Sequence, residues 1–378
     1  MLLNEEQALI RDTAARFSRE HLLPHAADWD RDSHFSRDTM AEMGRLGFLG
    51  MLVPADKGGV GADHLAYAAM LEEIAAGCGG LSTAVSGHNS VGCLPIIQYG
   101  NEDQQDRYLP ALASGEILSC FCLTEPHAGS DASTLKTTAE RRNGHYILNG
   151  TKQFVTTGKN ADIALVFART GPDTGKHGIS AFIVPTDNPG YIVARVEKKL
   201  GQRASDTCQI VLENVEVPEE NRLAEEGEGY RIALANLESG RIGIASQAVG
   251  MARSAYEIAL TYAQERESMG KPIFEHQAVG FRLADMATEI EAARQLVWHA
   301  AALRDAGQPC LIEASMAKVA TSEMAEKVCS DAIQTLGGYG YLEDYPLERI
   351  YRDVRVCKIY EGTSDIQRLI IGREIVKN

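Results

Sequence analysis

Apolar residues over roughly the first 117 positions fall in long helical-period segments rich in Ala and Leu. They are interrupted at Pro24, at positions 54–59 and at the glycines of 77–80. Long periodic runs with short Pro/Gly breaks predict a layer of helices. The acidic opening MLLNEEQALIRD predicts a helix starting at Asn4. Near Leu118 the period shortens. Apolar residues now come in runs at 146–148, 163–168, 179–184, 192–196 and 210–212. They are separated by the turn signals Asn143-Gly144, Asn149-Gly150, Gly171-Pro172-Asp173 and Asn188-Pro189-Gly190. Short strands with turns about every ten residues predict an antiparallel sheet or barrel. After Gly229 helical stripes return and lengthen, one through Ile244, Ala248, Met251, Ala255 and Ile258, another through Leu283, Met286, Ile290, Ala293 and Val297. Broad stripes of this kind suit a helix bundle. The fold class expected is α+β in three parts: a helical domain over 1–117, a β domain over 118–224 and a second helical domain over 225–378.

Composition narrows the function classes. The 378 residues are 44% hydrophobic and 24% charged, with a formal net charge of −15. Such a surface disfavours nucleic acid and anionic membranes, so a polyanionic ligand needs a local basic patch. No apolar run approaches the ~20 residues of a membrane span. The start carries neither a signal-type nor a transit-type leader, and eight irregularly spaced cysteines give no paired C-x-x-C pattern. A reducing cytoplasm is the expected location. The glycine clusters at 58–61 and 337–340 lack the dinucleotide-binding spacing, and P-loop, H-E-x-x-H and G-x-S-x-G motifs are missing. His21 and His25 have Pro24 between them and no completing carboxylate, so no metal site is expected. These exclusions point to an organic cofactor held without a familiar fingerprint.

Four segments carry candidate chemistry. The run from Phe121 through Leu123, Thr124 and Glu125 to Ser130 and Asp131 reads as a strand giving way to a donor-rich loop, or as an ordinary turn. The second segment, 152–158, offers Phe154 to lie against a ring system with Thr156 close by, or else a hairpin with Phe154 in the core. Glu238, Ser239, Gly240 and Arg241 are expected to open the long helix. Arg241, beside an almost uncharged run, should be partly buried and need an acceptor, unless it simply pairs with Glu238. Finally, Ser364 followed by Gln367 predicts a capping box and a helix from about residue 365. That would leave Glu361 in a loop between Tyr360 and Gly362, either reaching a buried substrate or lying on the surface.

Taken in order, L-T-E-P-x-A-G-S-D, the N-G-x-K-x-x-x-T strand pair, E-R-x-x-x-G-K at Glu265, Gln277, Q-x-x-G-G-x-G-Y at Gln334 and Y-E-G-T-S-x-I-Q-R at Tyr360 make the whole chain resemble the acyl-CoA dehydrogenase family. The resemblance implies an N-terminal helical domain, a central antiparallel β-barrel domain and a C-terminal four-helix bundle. It also implies bound FAD, a homotetramer built as a dimer of dimers, and electron transfer to an electron-transfer flavoprotein. Carried over by position, Phe121, Leu123, Thr124 and Ser130 hold the isoalloxazine, with Phe154 and Thr156 on its other side. Arg266, Ser268, Gln277, Gln334, Gly337 and Gly338 hold the adenosine and pyrophosphate half from a neighbouring subunit, and Thr363 and Asp365 complete the contacts. Ser130, Glu238, Arg241, Tyr360 and Gly362 meet the acyl-CoA.

The implied reaction is α,β-desaturation, with Glu361 as base and its backbone N–H and a ribityl hydroxyl polarising the thioester carbonyl. Some members place the base just before the arginine of the long helix. Gly240 occupies that position here, leaving Glu361 as the candidate. The 240–250 segment is closest to short-chain, butyryl-type members, with isobutyryl and 2-methylbutyryl enzymes as the alternative, and positions 83–86 are expected to form the pocket floor. An oxidase passing electrons to oxygen and a flavin- or CoA-binding protein without turnover are the rival functions. Met269, where Phe is frequent, and His127, where Gly is commoner, depart from the family pattern.

Overall fold

The structure, a computed structural model, describes residues 1–171 and 175–377; Pro172 and Asp173 of the predicted turn lie outside them. Seven helices come first: α1 (Glu5–Phe17), α2 (Ala26–Asp32), α3 (Arg37–Arg45), α4 (His64–Gly77), α5 (Gly79–Gly87), α6 (Leu94–Tyr99) and α7 (Glu102–Ser114). The first starts where the sequence placed it. Asn4 accepts from the Gln7 N–H, and the Gln7 side chain returns to the Asn4 N–H, satisfying two donors that the helix leaves open.

Strands β1 (Ser119–Cys122), β2 (Thr138–Arg142), β3 (His145–Thr156), β4 (Ile163–Arg169), β5 (Ile179–Pro185), β6 (Tyr191–Val196), β7 (Thr207–Pro218) and β8 (Arg222–Leu223) form one sheet. Its order is β6-β7-β3-β2-β4-β5-β8, with β1 added on β4. Pairing is antiparallel except that β1 runs parallel to β4 and β2 meets β4 at one parallel pair. β4 explains why one stretch of sequence is continuously apolar while others alternate. Its Ile163, Leu165 and Phe167 pack toward Leu109, Leu112 and Ile232 of helices, while Ala164, Val166 and Ala168 pack with Phe182, Ile210 and Leu212 of the sheet. A strand buried on both faces has no polar side to show.

The last part holds α8 (Gly229–Glu265), the hairpin of β9 (Glu267–Ser268) and β10 (Lys271–Pro272), α9 (Gln277–Asp305), α10 (Leu311–Leu336), α11 (Leu347–Val354) and α12 (Ser364–Ile375). Ala245, Ala248, Ala252, Ala255, Ala259 and Ala263 make a small-residue seam along α8. Such a seam lets α8 approach its neighbours closely. α8 begins at Gly229, so the Glu238–Arg241 segment lies inside the helix and does not open it. The glycines there mark close packing, since any side chain at Gly243 would run into Ser86 Oγ and Tyr67 Oη. Among the described residues no helix is long and apolar enough to cross a membrane.

Candidate functional site

The loop from Tyr360 to Gly362 joins a short turn after α11 to α12, and two of its residues have left-handed backbone: Glu361 at φ 54° and Gly362 at φ 90°. For a residue with a Cβ this conformation costs of order 1–3 kcal/mol and persists only where surrounding groups enforce it. Here they are Gln367, whose Nε2 donates to the carbonyls of Glu361 and Gly362 at 3.1 Å each, and Lys318 of α10, whose Nζ donates to Gly362 O at 2.6 Å. This use of Gln367 corrects the expected capping box. The cap of α12 is Thr363, accepting from the Ile366 N–H, and Ser364 is the first helical residue. One residue's shift frees the Gln367 side chain to point back into the loop.

The Glu361 carboxyl lies against the Cα of Gly240, where a Cβ would strike its Oε2 and come within 2.9 Å of its Cδ. The missing side chain is what makes room for the carboxyl. Part of the residue still meets solvent, but Oε2 is shielded and has no hydrogen-bond partner among the described residues. Beside it Arg241 is 5% exposed, with Nε and Nη1 also unpartnered. The alternative pairing of Arg241 with Glu238 is not formed. Glu238 instead accepts from Arg304 Nη1 at 2.7 Å and faces the Cys310 thiol. Burial pushes Glu361 up to about 7, against the opposing charges of Arg241 and Lys318. Burial likewise pulls Arg241 down, with Glu361 pushing back. A carboxyl that titrates near neutrality, unpaired and facing an unpaired guanidinium, is equipped to accept a proton.

Tyr360 is tied into a polar chain that crosses all three parts of the fold. Its Oη donates to Gln247 Oε1 of α8, and Gln202 Nε2, from the loop before β7, donates to that Oη at 3.3 Å. Thr83 of α5 donates to Gln202 Oε1 at 2.6 Å, and Gln247 Nε2 reaches Gly79 O and Ser82 Oγ. Positions 83–86, expected as the pocket floor, thus lie on the α5 face that meets Gly243 and Gln247 of α8.

At the sheet, the loop after β1 and the bulge of β3 meet. The Gln153 N–H donates to Thr124 O at 2.8 Å. β3 slips register against β7 between Lys152 and Val155, and there Phe154 takes φ 58° and turns outward, 65% exposed. The core alternative for Phe154 is therefore excluded. Thr124 and Thr156 are half-buried, Leu123 is buried and Ser130 is exposed. Beneath them Lys152 and Glu125 form a buried ion pair at 2.8 Å. The His127 imidazole sits 3.7 Å from Glu125 Oε2 at the rim of this loop.

A third group lies at the far end of α8. A cleft of about 580 Å³ is lined by Arg266 and Ser268 from one segment and by Gln334, Gly337 and Gly338 from another. Arg266 lies over the Tyr339 ring at 5.9 Å and, among the described residues, forms no ion pair with a carboxylate. Gln277, exposed at the first position of α9, does not line this cleft, and Met269 is 93% exposed on the β9–β10 turn. Thr363 spends its hydroxyl on capping, and Asp365 is exposed one residue into α12. An outward aromatic on strained backbone, a cleft with a free guanidinium and orphaned buried polar atoms fit a flat ring joined to a pyrophosphate, as FAD requires.

Sequence reading did not single out Lys318, and it gave Lys152 no role and Gln367 a different one; all three are buried and polar. Lys318 had a signal: it falls on the α10 face with Ala314, Ala317, Thr321, Ala325 and Val328, all buried.

Comparison with known proteins agrees with these features. The chain matches the N-terminal domain of acyl-CoA dehydrogenases over residues 4–116, the middle domain over 120–215 and the C-terminal domain over 227–376. It is 48% identical to an acyl-CoA dehydrogenase of Bacillus subtilis, over 100% of this chain and 99% of that one. Butyryl-CoA dehydrogenase from Megasphaera elsdenii superposes with TM-score 0.98 at 39% identity, covering 100% and 99% of the two chains. A chain from a study of the electron transferring flavoprotein of Acidaminococcus fermentans and flavin-based electron bifurcation gives 0.99 at 43%, covering 100% of each. The chain belongs to the acyl-CoA dehydrogenase family and is an FAD-dependent oxidoreductase.

Proposed function

We propose that this enzyme desaturates a short, unbranched acyl-CoA between its α and β carbons, with Glu361 as the base. The observation that carries the reading is the unpartnered Glu361 carboxyl, held against Gly240 beside the equally unpartnered Arg241. An α C–H of a thioester is a weak acid, so its removal needs a base matched to neutral pH and donors for the carbonyl oxygen. Glu361, pushed up to about 7 by burial, meets the first need. Among the described residues its N–H donates to no other group, which leaves it for the second. Bound FAD would supply the acceptor for the β hydrogen, taken as hydride. The remaining work is the chain's own: Tyr360 and Gly362 fix the loop, and Phe121, Leu123, Thr124, Ser130, Phe154 and Thr156 cradle the ring. Arg266, Ser268, Gln277, Gln334, Gly337 and Gly338, with Thr363 and Asp365, hold the nucleotide half. Arg266 is suited to the pyrophosphate by its free charge in an otherwise acidic chain.

The short-chain preference draws on the butyryl-CoA dehydrogenase likeness and on the closed polar chain of Thr83, Gln202, Gln247 and Tyr360 behind the loop. Exposed apolar residues of α9 and α12, among them Phe281, Leu369 and Ile375, suit subunit contacts in a dimer of dimers. Electron-transfer flavoprotein is the proposed acceptor of the electrons, a reading supported by the Acidaminococcus likeness. Anaerobic titration of the purified flavoprotein with butyryl-, isobutyryl-, 2-methylbutyryl- and octanoyl-CoA tests the function. Bleaching of the flavin by butyryl-CoA and not by octanoyl-CoA is expected. Bleaching by a branched thioester alone would move the specificity, and a flavin that none bleaches would overturn the reading.

A further inference from the structure

Lys318 has no exposed surface, and among the described residues the one hydrogen-bond partner of its ammonium is the carbonyl of Gly362, 2.6 Å away. An ammonium carries three donors and no acceptor, and among the described residues only one of the three is used. Burying them is costly, and a helix face whose other buried members are small, Ala314, Ala317, Thr321, Ala325 and Val328, would pack well around an apolar side chain. The burial must therefore serve something local. The groups that face Lys318 are Cys357 from the turn after α11, Glu361 from the loop and Arg241 from α8. Glu361 is faced in turn by Arg241, by Lys318 and, from α4, by the Tyr67 hydroxyl. The loop it would brace is the one with two consecutive left-handed residues.

We propose that Lys318 is a positioning residue for desaturation: it clamps the Gly362 carbonyl so that the left-handed loop presents Glu361, and its positive charge beside that carboxyl favours the ionised base. The proposal rests on Glu361 being the base. Gln367 makes the natural control, since it donates to the same carbonyl, and to that of Glu361, without carrying charge. Lys318 tunes and holds, whereas Gln367 only holds.

The test uses the FAD-loaded enzyme with Lys318→Met, Lys318→Arg and Gln367→Leu, following anaerobic flavin bleaching by a short acyl thioester across pH as kcat/KM. Removing the cation makes Glu361 harder to ionise, so the acid limb of Lys318→Met moves to higher pH. Its rate at about pH 6 should fall roughly tenfold further than its rate at about pH 8.5, as for a limb displaced by about one unit. Lys318→Arg should keep the limb in place, and Gln367→Leu should lower the rate at every pH without moving it. An unmoved limb in flavin-replete Lys318→Met, or a limb displaced equally by Gln367→Leu, would overturn the proposal. Should Lys318→Met not retain flavin, Lys318→Gln is read by the same criterion. Failure of the underlying assignment is separable: Glu361→Gln would then bleach at the wild-type rate whatever Lys318 does.

Discussion

Glu125 and Glu361 are both carboxyls withdrawn from water beside a buried lysine, yet the protein treats them in opposite ways. Around Glu125 every demand is met. Lys152 Nζ donates to Glu125 Oε1 at 2.8 Å, Phe167 O at 2.6 Å and Leu123 O at 3.4 Å, which uses all three ammonium hydrogens. The N–H groups of Lys136 and Thr137 donate to the same carboxylate. Burial pushes Glu125 up, but the Lys152 charge and these donors outweigh it and hold the carboxyl below its usual range. Burial pulls Lys152 down as well. The saturated geometry argues that the pair is charged. Around Glu361 the same ingredients are left open: Oε2, Arg241 Nε and Arg241 Nη1 have no partners among the described residues, and burial pushes the carboxyl up to about 7. A closed pair holds a fold together, and the open one is what the proposed base requires.

Breaking the closed pair should have the largest effect. Lys152→Met strands a buried carboxylate beneath the Thr124 loop, and the loss should be about 3–5 kcal/mol in chemical denaturation. A loss below about 1 kcal/mol would mean that the pair is not the brace described. A smaller effect, on rate, should come from crowding the open site. Gly240→Ala sets a methyl where Glu361 Oε2 lies, and the displaced base should slow flavin bleaching by about 10²-fold with stability nearly unchanged. An unaffected rate would show that the carboxyl works from elsewhere.

The smallest effect is a gain. Glu361 goes from an ordinary 4.5 to about 7 on folding, so its favourable contribution is complete below about 4.5 and is lost as pH rises through about 7. Glu361→Gln should therefore stabilise the holoenzyme at about pH 8, by something on the order of 1–3 kcal/mol, and leave it unchanged near pH 4.5. Thermal melts at the two pH values check this, and equal melting points at about pH 8 would contradict an open, costly carboxylate.

The contrast between these two sites also marks what could be read from sequence. Periodicity located the helices, the strand region and the return to helices, because burial imposes 3.6- and 2-residue repeats on the chain. It could not foresee the parallel pairing of β1 with β4, whose partners Ser119 and Ile163 are far apart in sequence. Glu238–Arg241 were expected to open the long helix, but α8 begins at Gly229, and Gly240 and Gly243 lie inside it with Glu361, Ser86 and Tyr67 filling their space. Glu361 was legible through its motif. Lys152 stood in a candidate segment without a role and Lys318 was not singled out, although Lys152 continues the inward positions of Tyr146 and Leu148 along β3. Residue type suggests exposure, and only register or helix face reveals a buried charge.

The most direct test is anaerobic mixing of FAD-loaded Glu361→Gln with the short acyl thioester that bleaches the wild type. The substituted enzyme should stay yellow and still bind the thioester, seen as a perturbed flavin spectrum, while bleaching slows by at least ~10²-fold, the low end for a positioned base. Bleaching at the wild-type rate would contradict Glu361 as the base and the account of the open site with it.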